Sequence, residues 1–324
     1  MLLFCMILCL GDTQQTVDLN FIQDPDFYKP ISVKVDAKHR IFVVDGGEHH
    51  VRVFNSKGEP LMTLGSRGQG PGEFNNPSDV AFLKDNRILV GDSGQQRLHF
   101  FKEDGTFEKM IAIHDQAVGQ MVILPDGNLL LTKSSAGTFS FKMGEEFTER
   151  FGIFNLEGKQ VAKLGTALTH ENPLLSIMLN AGDVAAVGSQ IVQAPTLKSE
   201  LIFFDGPINT SVRYPLGFEP VEPNASMKEV KNADGSSSFS MSVNMDVVCV
   251  AMAPCSESEL LLLRNTSAED DPTAELVKVN LKGKVLKVWE EKFHPTAIAV
   301  GPDGKFAYII NDVGEDTVIS RVAL

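Results

Sequence analysis

One stretch of this chain copies another without a gap. Pro30-Ile31-Ser32-Val33, Ile41-Phe42-Val43-Val44-Asp45, His50-Val51-Arg52-Val53-Phe54 and Gly58 realign on Pro77-Ser78-Asp79-Val80, Ile88-Leu89-Val90-Gly91-Asp92, Arg97-Leu98-His99-Phe100-Phe101 and Gly105. A period of about forty to fifty residues built from short apolar runs excludes helical repeats, because each run is too short for a helix and fits a strand. Asp104-Gly105, Asp126-Gly127 and Asp303-Gly304 fall between the runs, where Gly accepts the positive φ of a tight hairpin.

Weaker copies continue the pattern. Val122 to Leu131 repeats the first hairpin, and Phe154-Asn155-Leu156-Glu157-Gly158 through Gly165 repeats Phe54-Asn55-Ser56-Lys57-Gly58 through Gly65. A fourth unit is drawn from Ser176 to Leu216, a fifth from about Val247 to Gly283, and a sixth opens at Pro295 and stops after Val322. The expected fold is all-β, a six-bladed β-propeller of four-stranded antiparallel blades. Its last blade supplies three strands, and Thr16 to Phe21 is a spare strand before the first complete blade, so the N-terminal strand is expected to close the ring. Residues 12–324 then form one domain.

Gly65-Ser66-Arg67-Gly68-Gln69-Gly70-Pro71-Gly72-Glu73-Phe74, with Pro77 to Val80 and Val90 to Arg97 behind it, closely resembles an NHL repeat. The resemblance extends to bacterial six-bladed propellers that carry a Gly-x-Gly-Pro-Gly-Glu-Phe loop between blades. It implies an exported or lipid-anchored protein, and a scaffold that elsewhere carries binding, lyase or lactonase sites. Family membership alone does not choose among these.

The two faces of such a ring are treated differently by the sequence. One keeps tight turns, while the other expands at Ser134 to Glu149, Ser189 to Lys198 and Asn265 to Thr273. Long loops on a rigid frame concentrate binding residues, so the expanded side is the expected functional face, with Asp45, His50, Arg67, Asp79, Asp92 and Arg97 as candidate ligand contacts. Asp45 and Asp92 close equivalent strands, and a structural bond between strand ends competes with ligand contact there. Glu219 to Ser242 is the largest interruption, either a hairpin or mobile.

The leading expectation is a binding scaffold for a protein, peptide or glycan; the alternative is a metal-dependent hydrolase or lyase at the central channel. Calcium would need oxygen ligands converging from several blades. Matching Asp79 across the repeat gives Ser32, Gln120, Leu175 or Ser176, a position near Cys249, and Ala297, which is one carboxylate in six. Zinc would need several His or Cys at one point, and the histidines share no register beyond the His49-His50 pair. No catalytic residue, metal ligand or cofactor is therefore assigned.

A net charge of −13 disfavours nucleic-acid binding. Met1 to Leu10 is almost wholly apolar and Gly11 to Gln15 is polar, so residues 1–11 resemble a secretory signal too short to span a membrane, with a buried N-terminal strand as the competing reading. Export to the periplasm, cell surface or medium is expected on that basis. Cys249 and Cys255 lie close together and fit either a hairpin disulfide or two buried thiols.

Overall fold

The computed structural model describes residues 17–114, 116–135, 138–139, 149–205, 208–215, 218, 220–221, 223–231, 237–267, 273–313 and 316–324. The signal-like segment 1–11 lies outside the described residues.

Six four-stranded antiparallel sheets form the blades. Blade one runs Pro30–Val35, Ile41–Asp45, His50–Phe54 and Pro60–Leu64. Blade two runs Pro77–Phe82, Ile88–Asp92, Arg97–Phe101 and Phe107–Ala112. Blade three is Met121–Ile123, Leu129–Thr132, Glu149–Phe154 and Gln160–Thr166. Gly182–Val187, Gln190–Pro195, Glu200–Asp205 and Ile208–Arg213 make blade four. Blade five is Cys249–Pro254, Glu259–Asn265, Ala274–Asn280 and Val285–Phe293. In blade six, Pro295–Val300, Phe306–Val313 and Asp316–Ala323 are completed by Val17–Ile22. The first-named inner strands touch their neighbours in chain order, and that of blade six touches that of blade one.

The core lies between blades. Phe42, Val44, Val51 and Val53 of blade one pack against Val80, Ile88, Val90 and Phe101 of blade two, and Phe74 from the connecting loop enters the same layer. Second strands such as Ile41–Asp45 are buried along their whole length because a neighbouring blade covers each face. That explains their unbroken apolar runs, where a strand wet on one side would alternate. Each fully buried Phe or Val contributes roughly 1.5–3 kcal/mol.

Closure by the N-terminal strand is as expected. Val17 pairs with Val322 and Ile22 with Ile319, and the Ser320 hydroxyl donates to the Leu19 carbonyl at 2.7 Å. Ile22 and Val17 are buried, and the Arg321 guanidinium lies 4.0 Å from the centre of the Phe21 ring. The third turn of the blades places Gly58, Gly105, Gly158 and Gly283 at φ between 75° and 85°, a conformation that strains any residue with a Cβ.

Blade four departs from its expected limits. Asn172-Pro173 is a helix-start signal, and Pro173–Asn180 is an α-helix, so the blade begins at Gly182 and not at Ser176. The loop expected over Ser189 to Lys198 is mostly strand: Gly188 turns the chain at φ 58° and Gln190–Pro195 pairs back onto Gly182–Val187. The interruption at Glu219 to Ser242 holds a hairpin, Asn224–Lys231 with Ser237–Asn244. Ser134–Ser135 pairs with Thr138–Phe139 in the blade-three insertion, and residues 140–148 of that expected loop are outside the description. In blade five the Thr266 amide donates to the Thr273 carbonyl at 3.0 Å, closing a loop whose residues 268–272 are likewise outside it.

Candidate functional site

An inner strand is the edge of its sheet, so its outward amides point at the channel and need acceptors. The neighbouring blades supply them. The Met121 amide donates to Asp79 Oδ2 at 2.8 Å, Val184 to Gln120 Oε1 at 2.9 Å, and Met252 to Asp183 Oδ2 at 2.8 Å. The Ser32 hydroxyl donates to Asp79 Oδ1 at 2.6 Å. These bonds fix one level of the channel: Ser32, Asp79, Gln120, Asp183, Ala251 and Ala297, in blade order.

This level corrects two of the expected matches. Blade four contributes Asp183, because Leu175 and Ser176 are in the preceding helix. Blade five contributes Ala251, because a register shift between Cys249 and Ala251 places Cys249 where blade two has Pro77. The same shift occurs at Pro30/Ser32, Pro77/Asp79 and Pro295/Ala297 and kinks the strand where it enters the channel. The level therefore holds two carboxylates instead of one.

Above it opens a cavity of about 370 Å³. Its charged and amide lining is Lys34, Asp79, Gln120 and Asp183, with hydroxyls from Ser32, Thr196 and Thr296, and its larger apolar lining includes Met178, Leu197, Met245, Val247, Val250 and Ile298. A second cavity of about 300 Å³ lies beyond, and Lys34, Gln120 and Ile298 border both, so they form the partition. Met178 comes from the helix, and Met245 directly follows the hairpin, whose first strand touches that helix. The additions between blades three and five thus raise one wall of the first cavity.

Charge at the floor is unevenly balanced. Lys34 Nζ stands 3.7 Å from the buried Asp79 carboxylate. Burial raises the pKa of Asp183 to about 6; the Met252 amide and Lys34 oppose the rise, and the Asp79 charge adds to it. Beside it, burial pushes the Cys249 thiol up to about 12, and Asp183 again adds. Cys249 and Cys255 are both free thiols. Among the described residues no three His, Cys, Asp or Glu side chains gather at a point that could hold a metal ion.

Of the six candidate contacts, Asp79 alone lines the channel. Asp45 is buried and accepts from the amides of Tyr28, Lys29, Gly47 and Glu48 at 2.8–3.0 Å. Asp92 does the same for Asn75, Asn76 and Gln95 at 2.7–3.1 Å. Both carboxylates tie strand ends together. His50 and Arg97 pair opposite them in register. Burial lowers the His50 pKa, and Arg97 donates to the Gln95 side chain at 2.8 Å. Arg67 is exposed on the inter-blade loop, which Phe74 anchors by full burial and by bonding Ser66 and Gly68. The residue missed was Asp183, although Gly182-Asp183-Val184 echoes Ser78-Asp79-Val80.

Residues 27–262 match the family DUF5128, described as a 6-bladed beta-propeller. The chain belongs to that family. A stretch of this DUF5128 propeller is 28% identical over 99 residues to the E3 ubiquitin-protein ligase NHLRC1 of Rattus norvegicus, covering 31% of the chain and 25% of the ligase. The alignment thus spans about a quarter of that relative and supports NHL-repeat kinship. Among solved structures, a duf4221 member from Bacteroides vulgatus superposes with a TM-score of 0.58 at 9% identity, over 95% of this chain and 98% of that one. The virginiamycin B lyase of Staphylococcus aureus gives 0.54 at 11% identity, over 95% and 99%. Such distant likenesses carry the fold and no activity.

Proposed function

We propose that this DUF5128 propeller is an exported binding scaffold that takes a protein, peptide or glycan at the channel mouth. The observation that carries this is the cavity of about 370 Å³, lined by a few charged and polar groups among apolar side chains and walled in part by additions to the repeat. Concave sites of that size with a few convergent polar groups suit ligand binding. Kinship with NHL repeats supports protein recognition. The Gly68 to Phe74 loop, anchored by buried Phe74, supports placement among the bacterial type with this inter-blade loop, and the apolar Met1 to Leu10 supports export.

The test is a peptide and glycan array probed with the full chain and with Ala297→Phe, which fills the channel level. Hits lost in the variant at unchanged melting temperature support the reading; hits that survive the variant contradict it.

A hydrolase or lyase is the second reading, favoured by one observation: Asp183, with a pKa of about 6, lines the cavity and suits general acid–base work near neutral pH. A calcium or zinc version fits poorly. Both Asp79 oxygens hold protein donors with Lys34 Nζ 3.7 Å away, which leaves Asp183, among the described residues of the lining, as the one carboxylate with a free oxygen, too few for a metal ion. Turnover of lactones or esters that vanishes in Asp183→Asn would favour the enzyme over the scaffold.

A further inference from the structure

We propose that the channel-mouth cavity takes a protonated primary amine carried on an apolar chain, with the ammonium on the Asp183 carboxylate and the chain against Met178, Leu197, Met245, Val247 and Val250. The inference rests on the reading of this cavity as the binding site and names the chemistry it selects.

Three observations converge on it. The floor holds two carboxylates, Asp79 and Asp183, and one ammonium, Lys34. Asp79 is matched: its oxygens accept from Ser32 and Met121, and Lys34 stands beside it. Asp183 accepts the Met252 amide on Oδ2, and among the described residues no donor is assigned to Oδ1. A carboxylate in a confined cavity with one uncommitted oxygen favours a charge-assisted donor, and an incoming ammonium supplies both charge and hydrogens.

The wall sets the rest of the ligand. Blades five and six contribute Val247, Val250, Ala297 and Ile298 to the lining, with Thr296 as the polar side chain among them. An apolar stem loses no hydrogen bonds against Met178, Leu197, Met245, Val247 and Val250, whereas a polyhydroxylated ring would find few partners beyond Thr196 and Thr296 for its hydroxyls there. The chain's net charge of −13 attracts cations and repels anions at longer range. A lysine side chain and a free alkylamine share this chemistry.

Asp183 must be ionised to hold the cation. The groups facing it are Asp79 and Lys34 across the channel and Cys249 beside it, and the Cys249 thiol stays protonated over the range tested. With Asp183 titrating at about 6, the ionised fraction rises from roughly one-tenth at pH 5 to nearly all at pH 7.5, so apparent affinity should rise about tenfold.

The experiment is calorimetric titration of the full chain with n-hexylammonium, 1-hexanol and hexanoate at pH 5.0 and 7.5, repeated in Asp183→Asn. The asparagine keeps an acceptor for the Met252 amide, so the strand contact survives. Expected is saturable one-to-one binding of the amine at pH 7.5, about tenfold weaker at pH 5.0 and at least as much weaker in the variant. If the variant does not fold, the pH pair on the unaltered chain decides. Hexanol or hexanoate binding as well as the amine, or no amine binding, would overturn the proposal. A lysyl peptide and its acetyl-lysine twin separate the sources. Loss of peptide binding on acetylation supports a lysine side chain as the cation. Equal binding of both overturns the amine while leaving the scaffold standing. Amine binding with no peptide binding keeps the proposal and removes the peptide ligand.

Discussion

The carboxylate of Asp79 in blade two accepts the Met121 amide of blade three at 2.8 Å, and Asp183 in blade four repeats the bond to Met252 of blade five at the same distance. Alternate blades are thus joined at the channel by carboxylates. The two are not equivalent, because Lys34 stands beside Asp79 while Asp183 faces the cavity with a raised pKa.

Asp79→Ala leaves the Met121 amide and the Ser32 hydroxyl without their acceptor in a buried site. Hydrogen bonds to charged groups contribute about 1.5–3 kcal/mol, and the orphaned donors add desolvation cost. Urea unfolding should show a loss of at least about 2 kcal/mol, with Asp79→Asn losing less.

Asp183→Asn should do the opposite near neutral pH. A carboxyl whose folded pKa is raised from 3.8 to about 6 contributes stability below pH 3.8 that is lost as pH rises through 6. By linkage the ionised form costs up to about 3 kcal/mol at pH 7.5, less whatever solvent entering the cavity screens. Unfolding curves at pH 4 and 7.5 should therefore converge in the variant, whereas the unaltered chain retains an extra fall across that window. Stability given up at a cavity floor is what a binding site would show.

Deleting residues before Asp24 removes Val17–Ile22 and with it the outer strand of blade six. The freed edge of Asp316–Ala323 exposes Ile319 and Val322 and an unpaired ladder. A loss of several kcal/mol of stability, or aggregation on size-exclusion chromatography, is expected; an unchanged melting temperature would show that the ring needs no closure.

Native Cys249 should resist alkylation. Its thiol, pushed to about 12, holds almost no thiolate at pH 8, and Cys255 is shifted upward by burial as well. Site-resolved mass spectrometry after iodoacetamide should find Cys249 unmodified until denaturant is added.

How much of this was legible in the sequence follows from the repeat itself. Where Pro30 to Gly58 and Pro77 to Gly105 share every landmark, strands, turns and the roles of Asp45 and Asp92 could be aligned residue by residue. Blade four could not, because its short apolar helix offers the same Leu and Ile residues as a strand and displaces the apparent start. Asp183 was hidden by that displacement, and Ala251 because blade five has Cys249 where blades one, two and six have the landmark proline that marks the shared register shift. Asp79 was found because its blade is the best-aligned copy. The cavity wall is built from Met178, Leu197 and Met245, which lie outside the repeating strands and so obey no period.

The most direct measurement of the central claim is hydrogen exchange of the full chain with and without a ligand taken from the array. Protection is predicted at Met178, at residues 181–183 and 196–197, at Met245, Val247 and Val250, and at residues 296–298, which line the first cavity. Protection confined to the second cavity, around Val35, Phe82, Ile123 and Ala253, or to the outer strands, would contradict the placement of binding at the channel mouth.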